Sequence, residues 1–213
     1  MSVFLVAAIL AATAVNGQTP LPTTAPSHAH STPAELVTLR KLRAGGNVIF
    51  FRHERTNHLT PDAQDFRLDD CSRQRNLNAA GVANAAQSGE EIRTLKIPIG
   101  EVFASPMCRT QETARFMFGR YRVELRLFND WRVDKRSPEA LDSDFRALVA
   151  TSIKPGVNTV MVGHIVGGKA FGVSLHEGEA VVLTLNPQGS PVVVGTIDSA
   201  RWGDLVGDYP EAK

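Results

Sequence analysis

The stretch "VIFFRHERTN", residues 48–57, contains the strand from which the rest of the sequence can be interpreted. Four apolar residues lead directly into Arg52 and His53, and Glu54 and Arg55 follow. An uninterrupted apolar run is typical of a strand that is covered on both faces, as in a parallel sheet. Charged residues also follow strands wherever a chain returns to the surface. The stretch alone therefore leaves open whether Arg52 and His53 belong to a surface loop or to a functional site.

Helical and extended patterns alternate along the rest of the chain. A helix is predicted before the strand, because Leu36, Leu39 and Leu42 recur at helical spacing between a Thr-Pro-x-Glu cap and a glycine pair. Residues 56–74 lack periodicity and are predicted to form a long surface loop. Further helices are predicted over 76–97, 109–119, 137–152 and 165–175, and further strands over 100–105, 123–128, 158–163, 179–186 and 191–197. This order predicts an α/β domain, doubly wound, with a mainly parallel sheet, helices on both faces and a final hairpin.

Composition restricts the class of protein. The chain has 213 residues, of which 43% are hydrophobic and 21% charged, which is typical of a soluble globular protein with one domain. A formal net charge of +1 gives no electrostatic reason to expect binding to nucleic acid or to an anionic membrane. The oligomeric state is not encoded in any recognisable pattern.

The N-terminal segment differs from the rest. Residues 3–15 are apolar and uncharged, too few to span a bilayer comfortably, and Gly17 follows as a small residue. This layout predicts a signal peptide over 1–17, with a buried N-terminal helix as the alternative. Residues 18–33 are rich in Pro, Thr and Ser and predict a flexible linker, followed by the folded domain over 34–213. We therefore expect a periplasmic or secreted protein without stable membrane insertion once the signal peptide is removed.

The sequence contains two cysteines, Cys71 and Cys108. An exported chain encounters an oxidising compartment, so export predicts a disulfide between them. Two free buried thiols are the alternative if the chain is not exported.

Three predicted strands each end in residues suited to bind an anion. Arg52 and His53 follow the first, Ser105 and Arg109 the second, and His164 the strand over 158–163. In parallel sheets ligands bind beyond the carboxyl ends of the strands. Arginine forks bind phosphate oxygens in pairs, and a neutral imidazole can attack phosphorus. Phosphoryl transfer depends mainly on positioning and charge stabilisation. This set therefore needs neither a metal nor another cofactor.

Four motifs resemble one known family. The segments "FFRHERT", "LNAAGVANA", "SPMCRTQETA" and "VMVGHIVGG" occur in the order found in the histidine phosphatase superfamily. The chain is most similar to small, single-domain, exported members of the phosphoglycerate mutase-like branch. The resemblance implies that His53 becomes phosphorylated and that Arg52, Arg109 and a protonated His164 surround the phosphate.

The resemblance is looser at several positions. The acid that protonates the leaving alcohol is expected to be Asp130, in "LFNDW", or Glu177, in "HEGEAVV". Glu54 occupies the position of a small residue and is expected to point to solvent. Arg55 and Asn57 are candidate substrate contacts.

The predicted function is that of a metal-independent phosphomonoesterase of the histidine acid phosphatase type. Its expected substrate is a small-molecule or glycan phosphate ester. The alternative is a catalytically silent module that binds phosphate on the same fold. A phosphoglycerate mutase is less favoured, because export separates it from glycolytic substrates.

Overall fold

The computed structural model describes residues 30–128 and 136–209. The predicted signal peptide, most of the predicted linker and Asp130 lie outside this part of the chain. The helices are α1 (Pro33–Ala44), α2 (Ala79–Thr94), α3 (Cys108–Phe118), α4 (Pro138–Ser152), α5 (Ile165–Lys169) and α6 (Arg201–Asp208). The strands are β1 (Val48–Arg52), β2 (Ile99–Ala104), β3 (Arg122–Val123), β4 (Asn158–Gly163), β5 (Ala180–Leu185) and β6 (Pro191–Ile197).

The strands form one sheet in the order β3-β2-β4-β1-β5-β6. The pairs β2–β3, β2–β4 and β1–β4 are parallel, whereas β5 runs antiparallel to both β1 and β6. The prediction of an α/β domain with a mainly parallel sheet and a final hairpin is therefore confirmed.

Helices cover both faces of this sheet, which explains the continuous apolar run of β1. Ile49 and Phe51 face one side, and Val48 and Phe50 face the other. The first side is packed by α1, α2, α3 and α6, with Leu39, Ile92, Met117 and Trp202 among the buried contacts. The second side is packed by α4, with Phe145, Leu148 and Val149. The apolar run was thus a correct signal of burial on two faces.

Two predicted elements differ from the structure, and one helix was missed. Only Arg122–Val123 of the edge segment pairs with β2, and a 3₁₀ turn over Leu125–Leu127 replaces the predicted strand over 123–128. That turn begins where the Glu124 carboxylate accepts a hydrogen bond from the Arg126 N–H. The helix predicted over 165–175 ends at Lys169, shortly before Gly172 adopts a left-handed φ of 73°. Helix α6 was not predicted.

The start of the folded domain includes the last residues of the predicted linker. Thr32 caps α1, and the Glu35 carboxylate accepts a hydrogen bond from the Thr32 N–H, which completes a capping box. His30 Nδ1 lies 3.3 Å from a carboxylate oxygen of Asp208, and Arg201 donates to Glu35 at 2.9 Å. These contacts join the start of α1 to α6.

The long loop over residues 56–74 is attached to α3. The predicted disulfide between Cys71 and Cys108 is present. The Gln74 side chain accepts a hydrogen bond from the Cys108 N–H at 2.8 Å and donates one to the Arg67 carbonyl at 2.8 Å. The loop is therefore fixed to the helix whose next residue is Arg109.

Candidate active site

The carboxyl ends of β2, β4 and β1 lie side by side and bring the predicted site residues together. Arg52 pairs with Gly163 in the parallel register, and the His53 N–H donates to the Gly163 carbonyl at 3.0 Å. The rings of His53 and His164 are consequently 5.7 Å apart between centroids. The Ser105 N–H donates to the Val162 carbonyl at 2.9 Å, which places the end of β2 beside that of β4.

His53 is held in one tautomer. Its Nδ1 lies 2.9 Å from the Glu54 carbonyl oxygen. Since a carbonyl only accepts, Nδ1 carries the proton and Nε2 of the neutral ring has a free lone pair. Burial, and then the neighbouring His164, lower the pKa of His53 well below its ordinary value. His53 is therefore neutral near pH 7 and suited to act as a nucleophile.

His164 is half-buried, and its Nε2 lies 2.9 Å from the Ser105 hydroxyl. Burial, followed by the charges of Arg109, Arg75 and Arg52, lowers the pKa of His164 well below its ordinary value. The lowered pKa favours a neutral ring in the ligand-free protein, and a protonated His164 beside bound phosphate stays a prediction.

Arg52 is fixed by its backbone and by one end of its guanidinium. Its Nη1 donates to the Leu175 carbonyl at 2.9 Å, and Nη2 lies 3.8 Å from the Glu177 carboxylate. Within the described chain, Nε of Arg52 is a buried donor without a hydrogen-bond partner. Buried donors are rarely left unsatisfied, so this atom is a candidate donor to an anionic oxygen of a ligand.

Arg109 lies in the first turn of α3. Thr113, one turn later, donates to the Arg109 carbonyl at 2.8 Å and accepts a hydrogen bond from the Glu54 N–H at 3.0 Å. Thr113, the second threonine of "SPMCRTQETA", thus attaches the segment after His53 to this helix. The Arg109 side chain is buried and forms an ion pair with Asp62, from the long loop, at 3.1 Å.

Glu177, one of the two candidate acids, lies next to Arg52, with 3.8 Å between its carboxylate and Arg52 Nη2. Its carboxylate accepts hydrogen bonds from the Thr56 hydroxyl at 2.8 Å and from Arg75 at 3.1 Å, and lies 3.2 Å from His58 Nε2. Burial opposes its ionisation, but the Thr56 hydrogen bonds and the neighbouring His53 outweigh burial and lower the pKa of Glu177. Glu177 is therefore ionised in the ligand-free protein. The other candidate, Asp130, lies outside the described residues.

An open cleft of about 620 Å³ adjoins Arg52 and Glu177. Its lining is entirely polar or charged and consists of Arg52, Arg55, Thr56, His58, Asn78, His176, Glu177 and Asp198. The candidate contact Arg55 is thus at this cleft. Asn57 is not brought to the cleft, because its side chain bonds the Thr60 hydroxyl at 3.1 Å and the Leu59 N–H at 3.1 Å within its own turn.

Glu54 does not point to solvent, as its sequence position suggested. Its side chain is fully buried, and Gly178 leaves room for its carboxylate, because a Cβ at Gly178 would lie 2.7 Å from an oxygen of Glu54. The carboxylate is accommodated behind the segment that follows β1. Burial raises the pKa of Glu54 to about 6.

Several residues of the site were missed by the sequence analysis, among them two that contact predicted site residues through ion pairs. Arg75 and Asp62 both come from the segment around the disulfide, and both contact residues that were predicted. Neither follows a strand or belongs to a recognised motif. Their proximity to Cys71 was the available signal, since a disulfide to Cys108 brings this segment beside Arg109.

No group of three or more His, Cys, Asp and Glu side chains in residues 30–128 and 136–209 is arranged to hold a metal ion. No helix in these ranges is long and apolar enough to cross a membrane.

Three solved structures with a similar fold are named as phosphatases. The chain matches the protein histidine phosphatase SixA complexed with tungstate (14% identity, TM-score 0.50, covering 73% of this chain and 98% of that one). It also matches a histidine-to-alanine variant of phosphoserine phosphatase from Entamoeba histolytica bound to phosphoserine (13% identity, TM-score 0.53, covering 72% of this chain and 97% of that one). A third match is the ecdysone phosphate phosphatase of Bombix mori in complex with tungstate (16% identity, TM-score 0.53, covering 70% of this chain and 92% of that one). No protein-family profile and no curated protein sequence matches. The chain has the fold of the histidine phosphatase superfamily.

Proposed function

We propose that this protein is a metal-independent phosphomonoesterase of the histidine phosphatase superfamily that forms a phosphohistidine on His53. The observation that carries the proposal is the hydrogen bond from His53 Nδ1 to the Glu54 carbonyl at 2.9 Å. It leaves Nε2 of His53 unprotonated, and the His164 ring lies 5.7 Å away between centroids. The substrate class is a small-molecule or glycan phosphate ester.

In the first step, the Nε2 lone pair of His53 forms a bond to phosphorus while the ester P–O bond breaks. Arg52 and Arg109 bind the non-bridging oxygens and stabilise their charge, as positioned guanidinium groups do in phosphoryl transfer. The leaving oxygen takes a proton from a carboxylic acid. In the second step water attacks phosphorus, the P–N bond breaks, and its electron pair returns to Nε2.

Glu177 is our candidate for this acid, since its carboxylate lies 3.8 Å from Arg52 at the edge of the polar cleft. It is ionised before substrate binds, so it must first take up a proton. A phosphate dianion beside Arg52 raises the pKa of a neighbouring carboxyl through like-charge repulsion. Glu177 then gains a proton on substrate binding, gives it to the leaving oxygen, and accepts a proton from water in the second step.

The alternative function, a silent phosphate-binding module, has one observation in its favour. Asp62 pairs with Arg109, and Glu177 lies beside Arg52, so two of the pocket's cations already have carboxylate neighbours. Such a protein binds phosphate without turning over an ester.

Hydrolysis of p-nitrophenyl phosphate in the presence of EDTA tests the proposal. We expect wild type and His30→Ala, which alters an exposed histidine near α6, to be equally active. His53→Ala should lose activity by at least a thousandfold, because it removes the nucleophile. An acid-labile phosphoryl adduct should form on wild type alone. Undiminished activity in His53→Ala contradicts the mechanism, whereas phosphate binding without turnover in wild type supports the binding module.

We also propose that the protein acts in the periplasm or outside the cell. The disulfide between Cys71 and Cys108 and the leader-like segment over residues 1–17 support this location. Cell fractionation tests it, and recovery of the full-length, reduced protein from the cytoplasm contradicts it.

A further inference from the structure

Arg75 is a half-buried arginine between the long loop and the candidate active site. Its Nη1 is 3.1 Å from a carboxylate oxygen of Glu177, 2.5 Å from the Thr56 hydroxyl and 3.2 Å from His58 Nδ1. Its side chain is 19% exposed. These contacts fix the position of the guanidinium group while leaving one side of it accessible.

The remaining donors of Arg75 are unused. All hydrogen bonds of its side chain within the described ranges are made through Nη1, so Nε and Nη2 remain available. These two atoms lie on one edge of the guanidinium fork and match the spacing of two phosphate oxygens.

The charge of Arg75 reaches the residues that surround the reacting phosphate. It contributes to the lowered pKa of His164, after burial and Arg109, and to that of Arg52, after burial and the opposing effect of Glu177. Arg75 therefore lies close to both sides of the pocket.

The backbone of Arg75 is connected to Arg109 through Asp62. Its N–H donates to a carboxylate oxygen of Asp62 at 2.8 Å, and the same oxygen accepts a hydrogen bond from Arg109 at 3.1 Å. Asp62 thus sets the position of Arg75 relative to Arg109. The disulfide between Cys71 and Cys108 restrains both segments.

We propose that Arg75 is a third phosphate-binding arginine, which uses Nε and Nη2 to hold two oxygens of the phosphate that Arg52 and Arg109 also bind. The inference rests on the proposed function only in placing phosphate at this site. Glu177 serves as the internal anion for Arg75 until phosphate arrives; once Glu177 has taken up its proton, the phosphate is the anionic partner of Arg75.

Binding of inorganic phosphate, measured by titration calorimetry, tests this role without requiring turnover. Arg75→Gln should weaken phosphate binding roughly tenfold to a hundredfold, the range for losing charge-assisted hydrogen bonds. The matched control is Arg73→Gln, because Arg73 lies two residues earlier and pairs with Asp65 at the surface. Its phosphate affinity should equal that of wild type.

Glu177→Gln separates phosphate binding from a structural role of the ion pair. Like Arg75→Gln, it weakens the ion pair between Arg75 and Glu177. Unlike Arg75→Gln, it removes a negative charge from the site, so the affinity for phosphate should stay equal or increase. Opposite effects of the two variants support the proposal. Equal losses in both, or an Arg75→Gln affinity within twofold of wild type, overturn it.

If Arg75→Gln does not fold, Arg75→Lys retains the charge but lacks the fork. Its phosphate affinity should decrease several-fold, and an unchanged affinity in folded Arg75→Lys overturns the proposal.

The test of Arg75 is separable from the test of the proposed function. A wild type that binds phosphate through Arg75 but forms no phosphohistidine contradicts the function alone. Turnover through His53 with full affinity in Arg75→Gln contradicts this inference alone.

Discussion

Replacement of Glu54 by glutamine should stabilise the protein above pH 6. The Glu54 side chain is fully buried next to Gly178. Burial raises its pKa from 4.5 to about 6, although hydrogen bonds from the Arg55 N–H and from Asn84 partly oppose this. Glutamine has nearly the same shape and carries no charge to desolvate. The ionised carboxylate therefore lowers the free energy of unfolding, and the amide does not.

The direction of the pH dependence follows from proton binding. Between pH 4.5 and about 6 the folded protein holds the Glu54 proton more tightly than the unfolded chain. Stability consequently falls as the pH rises through this window and is constant, with respect to this group, above it. At about 1.4 kcal/mol per pH unit, the destabilisation reaches about 2 kcal/mol.

Urea unfolding of wild type and Glu54→Gln at several pH values between 4 and 8 measures this effect. The difference in the free energy of unfolding should be near zero at pH 4 and about 2 kcal/mol in favour of Glu54→Gln at pH 7. Glu90→Gln is the control, because Glu90 forms an exposed ion pair with Arg93 and should change stability by less than about 0.5 kcal/mol. A difference that does not vary with pH, or a less stable Glu54→Gln at pH 7, refutes the reasoning.

Three further results are expected. Reduction of the disulfide should accelerate limited proteolysis within residues 56–74 and weaken phosphate binding; equal cleavage rates with and without reductant count against a tethered loop. Gly81→Ala should destabilise the fold by about 1–3 kcal/mol, because a Cβ at Gly81 would lie 2.1 Å from the Arg55 carbonyl oxygen. Gly207→Ala is the control: its Cβ meets no atom within 4 Å, so the substitution should be neutral or stabilising. Equal urea midpoints for these two variants contradict the close approach. The polar lining of the 620 Å³ cleft predicts a higher kcat/KM for esters of hydrophilic alcohols than for those of long-chain alcohols, and the reverse order contradicts it.

The positions of His53 and His164 could be predicted from the sequence because each follows a buried strand. Apolar runs identify such strands, and the parallel arrangement brings their carboxyl ends together. Arg109 was predicted in the same way, and the motif threonine Thr113 explains why the segment after β1 and α3 stay in contact.

The loop residues of the site could not be predicted, because their positions depend on tertiary contacts. Arg75 and Asp62 lie in or next to a segment without periodicity, which is positioned by a disulfide and by the Gln74 side chain. Glu54 was expected at the surface because a buried acid is rare, and its burial depends on the space at Gly178, 124 positions later. Helix α6 was missed because it has only eight residues and two glycines, which disfavour a helix, although its Trp202 and Leu205 are fully buried.

The carboxylates that accompany the proposed phosphate-binding arginines have a consequence for product release. An enzyme that holds phosphate with several guanidinium groups risks inhibition by the inorganic phosphate it produces. Here Asp62 lies 3.1 Å from Arg109 and Glu177 lies 3.1 Å from Arg75, so each cation regains an anionic partner as phosphate departs. The two carboxylates compete with the product inside the same pocket. We therefore expect turnover to continue at phosphate concentrations that would saturate an equivalent site without them.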